Sequence, residues 1–129
     1  MIKPESAFIN SVHKKLKQAK PEILIRKISD RFNQGWPDVL YIGPFGYDLW
    51  IEYKVHPNKL SKMQEHIIQQ LTSYDKQIAV ITKWNDPHFN KPRYHITDYQ
   101  AFPHDSIEVL DPATWIMTEL GFICEPSTL

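Results

Sequence analysis

The sequence predicts an α/β protein: a central mixed β-sheet flanked by helices, in the order helix, three strands, helix, strand (αβββαβ). Three observations predict it. Residues 4–20 repeat apolar groups at helical spacing, residues 39–55 hold two apolar strands around a Gly/Pro turn, and residues 61–83 place a capped helix before the short apolar strand Ile78-Ala79-Val80-Ile81. A strand, a helix and a second strand form a crossover unit, so the strand at 77–83 is expected to run parallel to the one at 47–55 with a right-handed connection.

Size and composition bound the reading. A chain of 129 residues, 42% hydrophobic and 23% charged, suits one folded domain, with a core over about 4–83 and a C-terminal extension over 84–129. Formal net charge is zero, so total charge does not point to nucleic acid. Its distribution is uneven: residues 1–35 carry eight Lys/Arg against three Asp/Glu, and residues 84–129 carry two against seven. Such polarity suits a basic end that meets phosphates and an acidic end that meets a partner, or simply two solvated faces. Cys124 is the only cysteine, which excludes a disulfide within the chain and a thiolate zinc cluster. No apolar signal segment or membrane-length run is present, so the expected location is intracellular, in the cytoplasm of a host or bacterial cell, with no membrane partner.

The first helix starts well at Pro4, whose missing N–H costs nothing at a first helical position. Phe8, Ile9, Val12 and Leu16 form its inner stripe, and Glu5, three and four residues before Phe8 and Ile9, joins that stripe near the positive end of the helix. Lys14, Lys15, Lys17 and Lys20 follow before Pro21 stops the helix. Glu22 to Ser29 reads as a strand interrupted by Arg26-Lys27. The next segment, Asp30 to Trp36, reads as a loop that brings Arg31, Phe32 and Trp36 towards Asp38. Gly35 there serves either a turn or a close backbone approach.

The hairpin at 39–55 is the centre of the chain. With Gly43 facing Tyr47, the loop is Pro44-Phe45-Gly46, proline takes the first corner and glycine the left-handed position. That register sets Asp38 opposite Glu52 with both side chains on one face. A two-residue loop would turn Asp38 away, and it wastes proline and phenylalanine on corners that suit neither. Along the second strand Asp48, Trp50, Glu52 and Lys54 share a face, and Leu49, Ile51, Tyr53 and Val55 share the other.

Downstream, Ser61 and Gln64 make a capping box for a helix to about Ser73, with Met63, Ile67, Leu71 and Tyr74 as its buried stripe and Ile68 widening it. Gln64 borders that stripe. Residues 84–93 read as a loop with aromatic and basic groups, suited to stacking on bases or to packing alone. Short strands are expected at 94–96 and 106–110. Asp111-Pro112 then caps a helix with Trp115, Ile116 and Leu120 inside and Gly121 at its end.

Two carboxylates and an ammonium between apolar neighbours are expensive unless something uses them. Oxygen ligands with water and substrate phosphate filling the remaining positions suit Mg²⁺ or Mn²⁺ rather than zinc. A cation there would acidify a water, set it in line with a phosphodiester and offset charge on the phosphate oxygens. Three roles fit Lys54: orienting the water, accepting its proton, or stabilising the transition state. The six histidines show no zinc spacing, no nucleophile elbow is present, and only four glycines occur, none in a phosphate loop. A glycosidase pair at Asp38 and Glu52 is disfavoured by Lys54 beside it.

Gly35-Trp36-Pro37-Asp38, Ile51-Glu52-Tyr53-Lys54 and Leu60-Ser61-Lys62-Met63-Gln64 together resemble the PD-(D/E)XK nuclease superfamily, most closely its VRR-NUC branch and small phage-type Holliday-junction-resolving enzymes. The resemblance covers roughly residues 5–83 and implies a restriction-endonuclease-like core. It implies that Asp38 and Glu52 bind Mg²⁺, with Mn²⁺ able to substitute, and that Lys54 assists the attacking water. Glu5 matches the N-terminal helix carboxylate that completes the metal site in many members, Gly35 the glycine before the PD element, and Gln64 the glutamine after the core strand. The implied activity is an endonuclease cutting DNA, branched DNA and Holliday junctions included, as a homodimer. Lys14, Lys15, Arg26, Lys27, Arg31, Gly35 and Lys59 are then the candidates for holding DNA, mostly by its backbone, with a steep salt dependence. The alternative is a nuclease-like binding or assembly subunit without catalysis, its acidic end facing a partner.

Overall fold

The computed structural model describes residues 3–28, 34–85, 87–88, 90–99 and 106–123. Residues 29–33, with Arg31 and Phe32, as well as Phe89, His104 and Cys124, lie outside them. The elements are α1 (Pro4–Ala19), β1 (Leu24–Lys27), β2 (Val39–Ile42), β3 (Asp48–Val55), α2 (Lys62–Ser73), β4 (Ile78–Trp84), β5 (Arg93–Asp98), β6 (Ser106–Val109) and α3 (Pro112–Glu119). The strands form one six-stranded sheet in sequence order, parallel between β3 and β4 and antiparallel elsewhere. The expected mixed α/β sheet with its αβββαβ beginning is therefore present.

The hairpin takes the three-residue loop. Gly43 N–H donates to the Tyr47 carbonyl at 3.0 Å, and Gly46 sits at φ +89°, a conformation that side chains resist. Alternation along β2 and β3 then sorts the core into two layers. Val39, Tyr41, Leu49, Ile51 and Tyr53 pack with Phe8, Val12 and Leu16 of α1 and with Ala113, Ile116, Met117 and Leu120 on and after α3. The opposite face carries a smaller cluster in which Ile68 and Leu71 of α2 cover Ile78 and Val80, with Trp50 and Tyr99 at its margin.

Three details depart from the expectation. The first strand is only Leu24–Lys27, because its partner β2 is four residues long and Pro21 and Glu22 lie in a turn. On α2 the inner stripe is Ile68 and Leu71 with Ile67 beside it, while Met63 and Tyr74 are exposed. A helix seated on a narrow part of a sheet buries its middle turns, and its ends pass beyond the floor. Residues 84–129 are also more than an appendage: β5 and β6 extend the sheet and α3 helps close the core beside α1. Part of their acidic charge is used within the chain, since Asp111 meets Lys15 at 3.5 Å and Glu108 takes both ends of the Arg93 guanidinium.

Candidate active site

The site grows from the hairpin register. Val39 pairs with Ile51, so the next pair outward sets Asp38 across from Glu52 on the α2 face. Asp38 ends its loop firmly held: its carbonyl accepts Ile28 N–H at 2.8 Å, and its Oδ2 accepts Tyr53 N–H at 2.8 Å. Glu52 is 2% exposed. Its Oε1 accepts Gln64 Nε2 at 2.9 Å and lies 3.6 Å from Lys54 Nζ, a charge contact longer than a good hydrogen bond. Its Oε2 is buried and has no hydrogen-bond partner among the described residues.

Gln64 does two jobs with one amide. Its oxygen accepts Ser61 N–H at 2.8 Å, closing the capping box, while its nitrogen reaches Glu52. The cap fixes the start of α2, and the start of α2 fixes one oxygen of the buried carboxylate. Gly35 belongs to the same packing. At φ +86° it passes so close to α2 that a Cβ would collide with the Met63 side chain and stand 3.0 Å from its carbonyl oxygen. Both reasons foreseen for that glycine, a turn and a close approach, hold together.

The electrostatics follow from burial. Burial raises the Asp38 carboxyl, with Glu5 adding repulsion, and the Tyr53 N–H and Lys54 oppose this without cancelling it. Burial and then Asp38 push Glu52 up to about 8, against the pull of Lys54. Two acids that resist ionisation, one with a buried oxygen left unbonded, form a donor set that a hard divalent cation satisfies. The residues present therefore fit Mg²⁺ or Mn²⁺ on the chemistry of their oxygens.

Glu5 stands at the edge of this arrangement. It lines a cavity of about 210 Å³ together with Lys3, Asn10, Lys27 and Asp38, and its Oε1 accepts Asn58 Nδ2 at 3.2 Å. α1 packs on the opposite face of the sheet, so its first turn reaches the site only at the end where β2 begins and β3 stops. Among the described residues, no three His, Cys, Asp or Glu side chains gather closely enough to hold a metal ion. The pair Asp38/Glu52 is brought together, and Glu5 is near but engaged by Asn58.

No protein-family model matches the sequence, and no curated protein does. Among solved structures, the chain is similar to Hjc, a Holliday junction resolvase from the archaeal hyperthermophile Archaeoglobus fulgidus, at 13% identity and a TM-score of 0.55 over 95% of this chain and all of that one. The likeness is one of fold: this chain shares the mixed α/β architecture of that structure. A structure described as a VRR_NUC domain also matches, at 24% identity and a TM-score of 0.45, over 57% of this chain and 81% of that one.

On this fold the candidate DNA-holding residues scatter. Arg26 pairs with Leu40 and so shares the sheet face of Asp38 and Glu52, and Lys59 follows β3 beside Lys54 in an open groove. Lys27 donates to Asn10 Oδ1 at 3.2 Å and lines the cavity at Asp38. Lys14 and Lys15 lie on α1, across the sheet from the carboxylates, and Lys15 faces Asp111. Arg31 is outside the described residues. No helix among the described residues is long and apolar enough to cross a membrane.

Two features escaped the sequence reading. Behind the β2–β3 hairpin, His13 Nε2 bonds the Tyr41 hydroxyl at 2.7 Å, which bonds the Tyr53 hydroxyl. Burial first, then the charges of Lys27 and Lys17, lower His13 to about 4, so it stays neutral at pH 7. A faint signal existed, since His13 follows Ile9 by four and precedes Leu16 by three on the inner stripe of α1. The second feature is a stack of His56 on Trp84, 3.5 Å between ring centroids, in which no sequence spacing pairs the two.

Proposed function

We propose that this chain is a divalent-metal-dependent endodeoxyribonuclease that hydrolyses DNA phosphodiester bonds, branched DNA and four-way junctions included. One observation carries the reading: a buried, unbonded carboxylate oxygen on Glu52, across the hairpin from Asp38 and two residues before an ammonium on the same face. The fold likeness to Hjc, a Holliday junction resolvase, is the ground for including junctions. When bound, Mg²⁺ or Mn²⁺ supplies Lewis acidity at the phosphate and lowers the pKa of water.

Asp38 and Glu52 would hold the cation, and Glu5 would add its carboxylate from the neighbouring cavity. Gln64 occupies Glu52 Oε1 and so leaves Oε2 as the oxygen that would serve a cation, which makes it a positioning residue. Lys54 presents a buried ammonium to negative charge developing on the phosphate oxygens. The Tyr53 N–H keeps Asp38 turned towards the pair. Lys27 and Arg26 flank the strand end and meet backbone phosphates.

The test is cleavage of supercoiled, linear and four-way-junction DNA with Mg²⁺. Wild type is expected to cut, and Lys54→Ala to be slower by about 10²–10⁴-fold, the range for a group acting on the reacting atoms. No cleavage of any substrate, with wild type and Lys54→Ala alike, overturns the proposal. A binding subunit without catalysis is the second reading, favoured by the gathering of only two carboxylates among the described residues. Calorimetry with Mn²⁺ decides: heat that disappears in Asp38→Ala supports the enzyme, and no heat in wild type supports the subunit.

A further inference from the structure

Lys54 takes part in two places. Its ammonium stands beside Glu52, and its side chain also lines an open groove of about 550 Å³ on the α2 face of the sheet. α2 covers Ile78 and Val80, and no helix among the described residues covers the sheet beyond them. There the floor turns polar: Thr82 pairs with Lys54 on one side and with His95 on the other, which puts all three on one face. Lys54 and Lys59 give the lining two ammonium groups against the single carboxylate of Glu65.

The wall of this groove is aromatic. His56 and Trp84 stack nearly parallel, 14° apart, and His95 leans on Trp84 with centroids 5.6 Å apart. The stack is not buried: Trp84 is 38% exposed and His56 is exposed as well. It is held in place by the sheet, because His56 N–H continues the ladder to the Lys83 carbonyl at 2.9 Å. A rigid, solvent-facing pair of stacked rings beside two ammonium groups is the combination that takes a base on its face and a phosphate at its rim.

We infer that this groove binds an unpaired nucleotide of a nucleic-acid strand, its base stacked on the His56–Trp84 pair and its phosphates passing Lys59 towards Lys54. The inference rests on the nuclease reading for the place of cleavage and adds that the strand is single next to that place. In a duplex each base face is covered by its neighbours, so a ring platform selects a base that has left the stack. The groove volume lies within the range of roughly 300–1,000 Å³ of small-ligand clefts, which suits a nucleotide rather than a helix.

The experiment is fluorescence anisotropy of a labelled single-stranded oligonucleotide and of its blunt duplex, without added metal so that no strand is cut. Trp84→Ala is expected to weaken single-strand binding about five- to 150-fold, the worth of one base stacked on an aromatic ring, and to leave duplex binding unchanged. Trp84→Phe retains most of the affinity. A single abasic position moved along the strand tests the same contact on unaltered protein and is expected to give one position of sharp loss. Unchanged affinity in both the variant and the abasic scan, or equal loss on single strand and duplex, overturns the inference. The two readings fail separately. A wild type that cuts nothing yet shows the Trp84-dependent preference sinks the nuclease and leaves the groove, whereas metal-dependent cleavage with Trp84→Ala indistinguishable on single strands sinks the groove alone.

Discussion

The two faces of the hairpin bury polar groups in opposite ways. Towards α1, His13, Tyr41 and Tyr53 form a closed chain in which each polar tip has a partner and no charge is present. Towards α2, Asp38, Glu52 and Lys54 are ionisable groups, and one Glu52 oxygen has no hydrogen-bond partner among the described residues. A satisfied buried network specifies a core, while an incomplete buried charge lowers stability unless an outside group completes it. The same two strands thus separate structure from chemistry by the alternation of their side chains.

The largest expected effect breaks this contrast on the α2 side. Glu52→Gln removes the carboxylate that a cation would use and keeps the shape, so cleavage is expected to fall about a thousandfold or more, the equivalent of several kcal/mol of transition-state stabilisation. Its thermal midpoint without metal is expected to equal that of wild type near neutral pH, where the amide stands in for a protonated acid, and to exceed it near pH 8, where wild type must bury a charge. A midpoint several degrees lower would mean that Glu52 is there for stability.

On the other side, Tyr41→Phe leaves His13 and the Tyr53 hydroxyl without the partner they share. Unfolding in urea is expected to show a loss of about 1–3 kcal/mol, the cost of unsatisfied buried groups, with the cleavage rate per folded molecule unchanged. Loss of activity without loss of stability would join the two faces into one machine.

The smallest effect sharpens the comparison through pH. Glu52 and Asp38 both titrate above their ordinary range, so the folded chain holds protons that the unfolded chain has released. The stability they provide is complete below the ordinary carboxylate pKa and is lost as pH rises through the raised values. Differential scanning fluorimetry without metal should therefore give a midpoint that declines between about pH 6.5 and about pH 8, where no opposing titration remains, and Glu52→Gln should flatten that decline. Added Mn²⁺ is expected to restore the midpoint near the upper end and do little at the lower, since the ligands must lose protons first. His13, lowered from 6.5 to about 4, acts in the opposite sense: the unfolded chain protonates it and the folded chain does not, so it adds stability as pH rises from about 4 to about 6.5 and is level above that.

Much of this was legible in the chain itself. Gly43 to Gly46 chose the loop, the loop chose the register, and the register set Asp38 across from Glu52. Ser61 and Gln64 announced the cap of α2, and Asp111-Pro112 the start of α3. These are local signals, carried by residues a few positions apart, which is why spacing reveals them. The stripe of α2 was misjudged at Met63 and Tyr74, because periodicity gives a helix face and not how far the sheet beneath it extends.

What the sequence by itself determined is the hairpin, its register and the face shared by the two acids and the lysine, since turn chemistry and the two-residue period leave no freedom there. Only the tertiary structure decided that Gln64 reaches Glu52, that Asn58 engages Glu5, that Tyr41 and Tyr53 meet His13 behind the site, and that His56 stacks on Trp84. Those contacts join residues 12 to 53 positions apart, and they form only once α1 and α2 are seated on opposite faces of one sheet.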